Sequence, residues 1–396
     1  MGRRIYFDNA ATTPLDPRVR AAMLPYLETE YGNPSSLHTE GRAARAAVDL
    51  ARAQVAALVG AVPQQVVFTS GGTEANNLAL TSAVAHADGP VHIVTSAIEH
   101  PAVLETCGAL TQRGDVAVTR VGVGTDGIVD PAEVRAALRP DTRLVSIMAA
   151  NNVTGVLQPI AALAAIAHAH GCVFHTDAVQ AAGRLPLDLE RDGFDLLTLS
   201  GHKLYGPKGV GALIVRQRDS LHALIHGGGQ ERGQRSGTEA VAALVGFGVA
   251  AQLAMRERSE ETVRLIELRD RLTAGIRARV PHAYLIGHEF KRLPGHVCVG
   301  FAGLEGESMT LMLALDEAGF AVSTGSACSA HKASAPSYVL EALGYDAFRA
   351  RGALRITLGR FNSDAQVELF LETLPTIVGR LRPITHHAVQ ATGPGI

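Results

Sequence analysis

CVFHTDAVQAAGRLPLDLERDGFDLLTLSGHKLYGPKGVGALIVR, residues 172–216, holds three short apolar runs: CVFHTDA (172–178), FDLLTLS (194–200) and VGALIVR (210–216). Each has the length and composition of a buried strand. The first two end on residues that carry chemistry, Asp177 and Gln180 after the first and Ser200, His202 and Lys203 after the second. Toward the N-terminus the pattern repeats. VVFTS (66–70) precedes a helical run from Gly72 to about Ala87, VHIVTS (91–96) precedes EHPAVLETCGALTQRG, and RLVSIMAA (143–150) precedes IAALAAIAHAHG. Strands alternating with helices predict an α/β fold whose mostly parallel sheet is flanked by helices. In such sheets ligands bind beyond the carboxyl ends of the strands, so the polar residues there become the candidates.

Beyond residue 257 the rhythm changes. A charged helical stretch, RERSEETVRLIELRDRLTAGIRARV, is followed by short strands such as HVCVGF and LRITLG and by helices such as SMTLMLALDEAG. This predicts a smaller α+β C-terminal domain. The expected division is 16–257 for the large domain, with 1–15 and 258–396 in the small one. The last stretch, THHAVQATGPGI (385–396), has no apolar period and is expected to form a mobile tail.

The chain has 396 residues, 47% hydrophobic and 19% charged, enough for a well-buried core and not a disordered or disulfide-stapled chain. A net charge of −2 with no run of basic residues predicts no direct nucleic-acid partner. No apolar window has the length of a membrane span, and no apolar stretch follows the two arginines of MGRRIYFDNAATTP. The expected location is cytoplasmic, without membrane attachment. The four cysteines, with no CxxC spacing, suit a reducing compartment. No metal site is expected: His168 and His170 lie two apart on a helix and face different ways, and His386 and His387 fall in the polar tail.

Three strand ends carry the chemistry. TSGGTEANN opens a helix after VVFTS, so the N–H groups of Gly72 and Thr73, with the Thr73 hydroxyl, can meet a phosphate; a plain turn capped by Thr73 is the alternative. Asp177 ends an apolar strand, where a carboxylate needs a cationic partner such as a protonated pyridine nitrogen, unless it caps the next helix. Gln180 can donate to an oxygen of the same ring. Lys203, in a tight turn after a strand, is a candidate nucleophile toward an aldehyde. Of the 36 basic residues only four are lysines, and Lys208, Lys291 and Lys332 lack that setting. Together these parts describe a pyridoxal 5′-phosphate (PLP) site. His100, after VHIVTS, can stack on the ring, and Asn152, in NNVTG, can bond its hydroxyl.

The order DNAATTP, TSGGTEANN, EHPAV, NNVTGVLQP, HTDAVQ, SGHKLYGPKGVGAL, GGGQERGQRSGT, LPGHVCVGF, LEGESM and STGSACSA closely resembles the cysteine desulfurases. These are NifS/IscS-like members of the class V aminotransferases, of PLP fold type I. The resemblance implies that Lys203 holds the cofactor as a Schiff base, Asp177 pairs with the ring nitrogen and His100 stacks on the ring. It implies that Gln180 and Asn152 reach the ring oxygen, and that Thr73, Ser200 and His202 hold the phosphate. Thr238 of RSGT would enter from a second subunit, making the active protein a homodimer.

Cys172 and Cys298 fall in strand patterns and Cys107 in a helix, where buried thiols act as small hydrophobes. Cys328 sits instead in STGSACSAHKASAPS, a run of small and polar residues expected to form an accessible loop at about 322–337. In the resembling family this position takes sulfur from substrate, and the short context matches its group I branch. The implied reaction converts L-cysteine to L-alanine and leaves a persulfide on Cys328. Lys203 and His100 would move protons, and Arg355 of ALRITLG, assisted by Asn152, would grip the substrate carboxylate. The persulfide would pass to an acceptor protein such as an Fe–S scaffold, with Fe–S contact at Cys328 during transfer, or toward tRNA thiolation. The chain departs from many relatives at Val153, where they carry glutamate, in a longer loop with His331 and Lys332, and in a tail without an aromatic-rich ending. The competing readings are a small amino-acid aminotransferase of the same fold with Cys328 incidental, a selenocysteine lyase, and a PLP-free scaffold.

Overall fold

The computed structural model describes residues 4–85, 89–217, 221–325 and 335–391, with side chains to residue 382. Numbered along the chain, the strands of the first part are β1 (Ile5–Tyr6), β2 (Val66–Thr69), β3 (Val91–Ser96), β4 (Val116–Val121), β5 (Thr142–Ser146), β6 (Val173–Asp177), β7 (Leu196–Ser200) and β8 (Gly211–Val215). The later ones are β9 (Ala283–Leu285), β10 (His296–Phe301), β11 (Phe320–Ala321), β12 (Ser323–Thr324) and β13 (Ala353–Thr357).

Seven strands form the large sheet in the order β2-β8-β7-β6-β5-β3-β4. The pairs among β3 to β7 are parallel, whereas β8 runs antiparallel to both β7 and β2. The reason lies in the connection: residues 201–210 between β7 and β8 are too few for the helical crossover that a parallel return needs. Apolar side chains cover both faces. Val48, Val55, Phe68, Phe174, Leu197, Leu199 and Phe247 pack on one side, and Val67, Leu78, Ala79, Leu196 and Leu213 on the other. The strand ends that carry Asp177, Ser200 and the Gly72 turn therefore come together at one edge.

The C-terminal part has its own core. Strands β12-β13-β10-β9 make an antiparallel sheet, and β1 pairs in parallel with β11. Phe7, Phe301, Phe320, Leu354, Ile356 and Phe370 pack together there, with the rings of Phe7 and Phe370 edge-on at 5.7 Å. This is the α/β architecture with a smaller α+β part that the sequence predicts. Residue 257, the expected division, falls inside one continuous helix, Val241–Arg279. Its first half buries Leu244, Phe247, Ala250 and Ala251 in the first core, and its second half buries Leu265, Leu268, Leu272 and Ile276 in the other. A rigid helix rather than a loop thus links the two cores.

The helix Asp364–Ala391 extends into the stretch from residue 385 that the sequence reads as a tail. No glycine or proline interrupts 384–391, and the first such pair is Gly393-Pro394. Among the described residues no helix is long and apolar enough to cross a membrane.

Candidate active site

Ten of the residues singled out above, Gly72, Thr73, His100, Asn152, Asp177, Gln180, Ser200, His202, Lys203 and Arg355, line one cavity of about 320 Å³ at the carboxyl ends of the strands. Thr238 is exposed and is not among its lining residues. Cys328, His331 and Lys332 lie outside the described residues.

The floor begins at the helix Gly72–Ala85, whose first N–H groups have no intrahelical acceptor. A Cβ at Gly72 would stand 2.9 Å from Cγ2 of Val179, so any larger residue there would have to displace that side chain. Glu74 on the same turn accepts from Ser70 N–H at 2.8 Å and pairs through both oxygens with Arg235. That guanidinium neutralises a carboxylate that would otherwise repel an anion at the helix start.

Asp177, at the end of β6, is 6% exposed. Its Oδ1 accepts from Val179 N–H at 3.0 Å and its Oδ2 from Nδ2 of Asn76 at 2.7 Å. The first bond closes a turn and caps no helix, since the next element is irregular. Asn76 was not recognised from the sequence. The available signal was its position one helical turn after Gly72 in a run of buried residues. Its Oδ1 is buried with no hydrogen-bond partner among the described residues.

Lys203 ends a single 3-10 turn, Gly201–Lys203. Its Nζ donates to the carbonyls of Ala10 and Ala11, the latter at 2.7 Å, and Gln180 Nε2 donates to Ala10 O at 2.9 Å. The segment Ala10–Thr13 is therefore a wall of the site, which the sequence did not reveal. It is tied down by Thr13, whose N–H and hydroxyl both donate to His202 O, at 3.0 and 2.9 Å. His202 Nδ1 lies 3.0 Å from the Thr12 hydroxyl. Burial, with the charges of Lys203 and Lys208, pushes the His202 imidazole down to about 4, so it is neutral near pH 7.

His100 caps the helix Pro101–Thr111: its Nδ1 accepts from Ala102 N–H at 3.1 Å, which leaves Nε2 to carry the ring hydrogen. Beneath it Glu99 is fully buried. Its Oε1 accepts from the Ser96 hydroxyl at 2.6 Å and from Met148 N–H at 2.9 Å. Burial outweighs these bonds and pushes the carboxyl up to about 8. Because the folded state holds this proton more tightly than the unfolded one, stability from Glu99 is present at low pH and lost as pH rises from about 4.5 through about 8. Thermal unfolding across that window should show a smaller fall for Glu99→Gln than for the parent; parallel curves would exclude Glu99 as the group responsible.

Arg355 on β13 is 2% exposed. Its Nη1 donates to Asn152 O at 2.9 Å and its Nη2 to Asp8 Oδ1 at 2.8 Å. Cys107, Cys172 and Cys298 are buried and unpaired. Burial raises all three thiols, to about 12 for Cys107 and Cys298. Among the described residues no group of three His, Cys, Asp or Glu side chains is arranged to hold a metal ion.

The donor set suits PLP. A glycine-cradled helix start could receive a phosphate, a buried carboxylate braced by Asn76 could meet a ring N–H, and the amine of Lys203 opens on the same cavity.

The family model described as "Aminotransferase class-V" matches residues 5–370. The chain is 45% identical over 386 residues to cysteine desulfurase IscS of Dictyoglomus turgidum, covering 97% of each protein. It is 47% identical over 383 residues to a cysteine desulfurase of Cereibacter sphaeroides, covering 96% of this chain and 97% of the relative. Among solved structures, a NifS-like protein superposes with a TM-score of 0.88 at 38% identity, over 95% of this chain and all of the other. The structure described as "SspA in complex with cysteine" superposes with a TM-score of 0.79 at 36% identity, over 91% of this chain and all of the other.

Proposed function

The chain belongs to the class-V aminotransferases and, within them, to the cysteine desulfurases, and on that premise we propose that Lys203, Asp177, Arg355 and Cys328 divide the work of moving sulfur from L-cysteine to the protein. The convergence of Lys203, Asp177 and Arg355 on one cavity, while three of the four cysteines are buried elsewhere, carries this assignment.

When bound, PLP supplies an electron sink for charge developing on the substrate carbon. Gly72, Thr73, Ser200 and neutral His202 would hold its phosphate, and Asp177, oriented by Asn76, would accept from the ring nitrogen. His100 would pack on the ring, with Asn152 and Gln180 at its oxygen. Lys203 Nζ would hold the cofactor and would move the substrate α-proton. Arg355 takes the substrate carboxylate. Cys328 attacks as thiolate: an S–S bond forms at the substrate sulfur, the C–S bond breaks, and a proton delivered to carbon completes L-alanine. Atoms balance, since one thiol and L-cysteine become one persulfide and L-alanine. His100, which lines the same cavity, would exchange a proton with the substrate thiol.

A homodimer, with Thr238 of the second subunit completing the phosphate site, is part of the same proposal; the exposure of Thr238 on its own chain supports it. So are a cytoplasmic location, favoured by the free thiols, and an acceptor protein for the persulfide, such as an Fe–S scaffold that meets Cys328 directly. Incubation of the holoenzyme with L-cysteine and a reductant should release sulfide and L-alanine in equal amounts. A keto acid formed without sulfide would identify an aminotransferase instead.

A further inference from the structure

The carboxylate receptor of this site is itself held by an acid. Arg355 has five N–H groups; one Nη1 hydrogen goes to the Asn152 carbonyl and one Nη2 hydrogen to Asp8 Oδ1 at 2.8 Å, while Nε is buried with no partner among the described residues. Asp8 is not a loose surface group. Its backbone bridges Thr357, two residues beyond Arg355 on β13. Its carbonyl accepts from the Tyr6 hydroxyl at 2.9 Å, and Asn9 Nδ2 next to it donates to Thr357 O at 2.7 Å.

We propose that Asp8 is the positioning residue for Arg355: with the Asn152 carbonyl it fixes two corners of the guanidinium, so that its charge is held at the cavity it lines as the receptor for a substrate carboxylate. A backbone tied to the same strand as Arg355 favours a permanent clamp over a placeholder that substrate displaces. The clamp also places a fixed negative charge beside the receptor, which suits a substrate with a single carboxylate and disfavours dicarboxylic amino acids. This rests on the assignment of Arg355 to the substrate carboxylate.

Steady-state kinetics of the holoenzyme test it. Asp8→Asn should raise KM for L-cysteine by about tenfold, the scale of one charge-assisted hydrogen bond, with kcat changed by less than about threefold and the cofactor absorbance unaltered. Toward cysteamine, which lacks the carboxylate, parent and variant should behave alike. Asp8→Glu, which keeps the charge on a longer arm, should recover part of the KM. An unchanged or lowered KM in Asp8→Asn, or an equal loss toward cysteamine, would overturn the clamp. A separate variant, Arg355→Gln, distinguishes the underlying assignment: if it leaves KM for L-cysteine unchanged, Arg355 does not receive the carboxylate and that assignment fails first.

Discussion

Replacing Lys203 with alanine should abolish sulfide release, with kcat lowered by about 10³-fold or more, and should remove the absorbance that marks the covalently held cofactor. Two losses are expected together because one nitrogen has two duties. Nζ is the only lysine amine lining the cavity among the described residues. Lys208 is nearby in sequence, yet it is exposed and not part of the lining. The variant should fold, since Lys203 is a partly exposed side chain at the rim of a cavity and not part of either core. Absorbance spectra of the dialysed protein and a sulfide assay decide the matter. A variant that kept the bound-cofactor spectrum and a tenth of the turnover would remove Lys203 from the mechanism.

Cys328→Ser should give the opposite spectral result with a similar kinetic one. The cofactor spectrum and its response to L-cysteine should persist, because Asp177, Lys203 and the Gly72 turn are untouched. Turnover should fall by about 10³-fold, since a hydroxyl cannot accept the sulfur as a persulfide. The remaining cysteines offer no rescue: Cys107, Cys172 and Cys298 are buried, with thiols pushed well above the pH of the assay. Mass spectrometry of the parent after one turnover should find the added sulfur on the peptide containing Cys328. Full sulfide release by Cys328→Ser would contradict the transfer route.

The strand ends were legible because their chemistry is local. Asp177 stands at the end of an apolar run, Lys203 follows one, and Gly72 opens a helix after another, so each announced itself within a few residues. What stayed hidden depends on contacts between distant segments. Ala10 and Ala11 act through backbone carbonyls, which no side-chain pattern encodes, and they reach Lys203 from the far end of the chain. Asn76 reads as an ordinary helical polar residue until the fold brings it to 2.7 Å from Asp177. The mixed character of the large sheet was implicit in the short β7–β8 connection. The passage of one helix through both cores was not, because the charged composition after residue 257 marks where the chain leaves the first core and says nothing of whether a helix or a loop carries it across.

The N-terminal wall has a consequence for how the enzyme comes into being. Strands β2 to β8 are all made before residue 216, although the helix Val241–Arg279 that covers one face follows them, so the large sheet has its strands while the chain is still on the ribosome. The Ala10–Thr13 segment, made earliest, is anchored upstream by β1, whose partner β11 lies at residues 320–321, and by the bridge from Asp8 to Thr357. The Thr13 contacts to His202 can form as soon as the large sheet is made, whereas the anchors at β11 and Thr357 are added only near the end of synthesis, so the wall of Lys203 is secured in two stages.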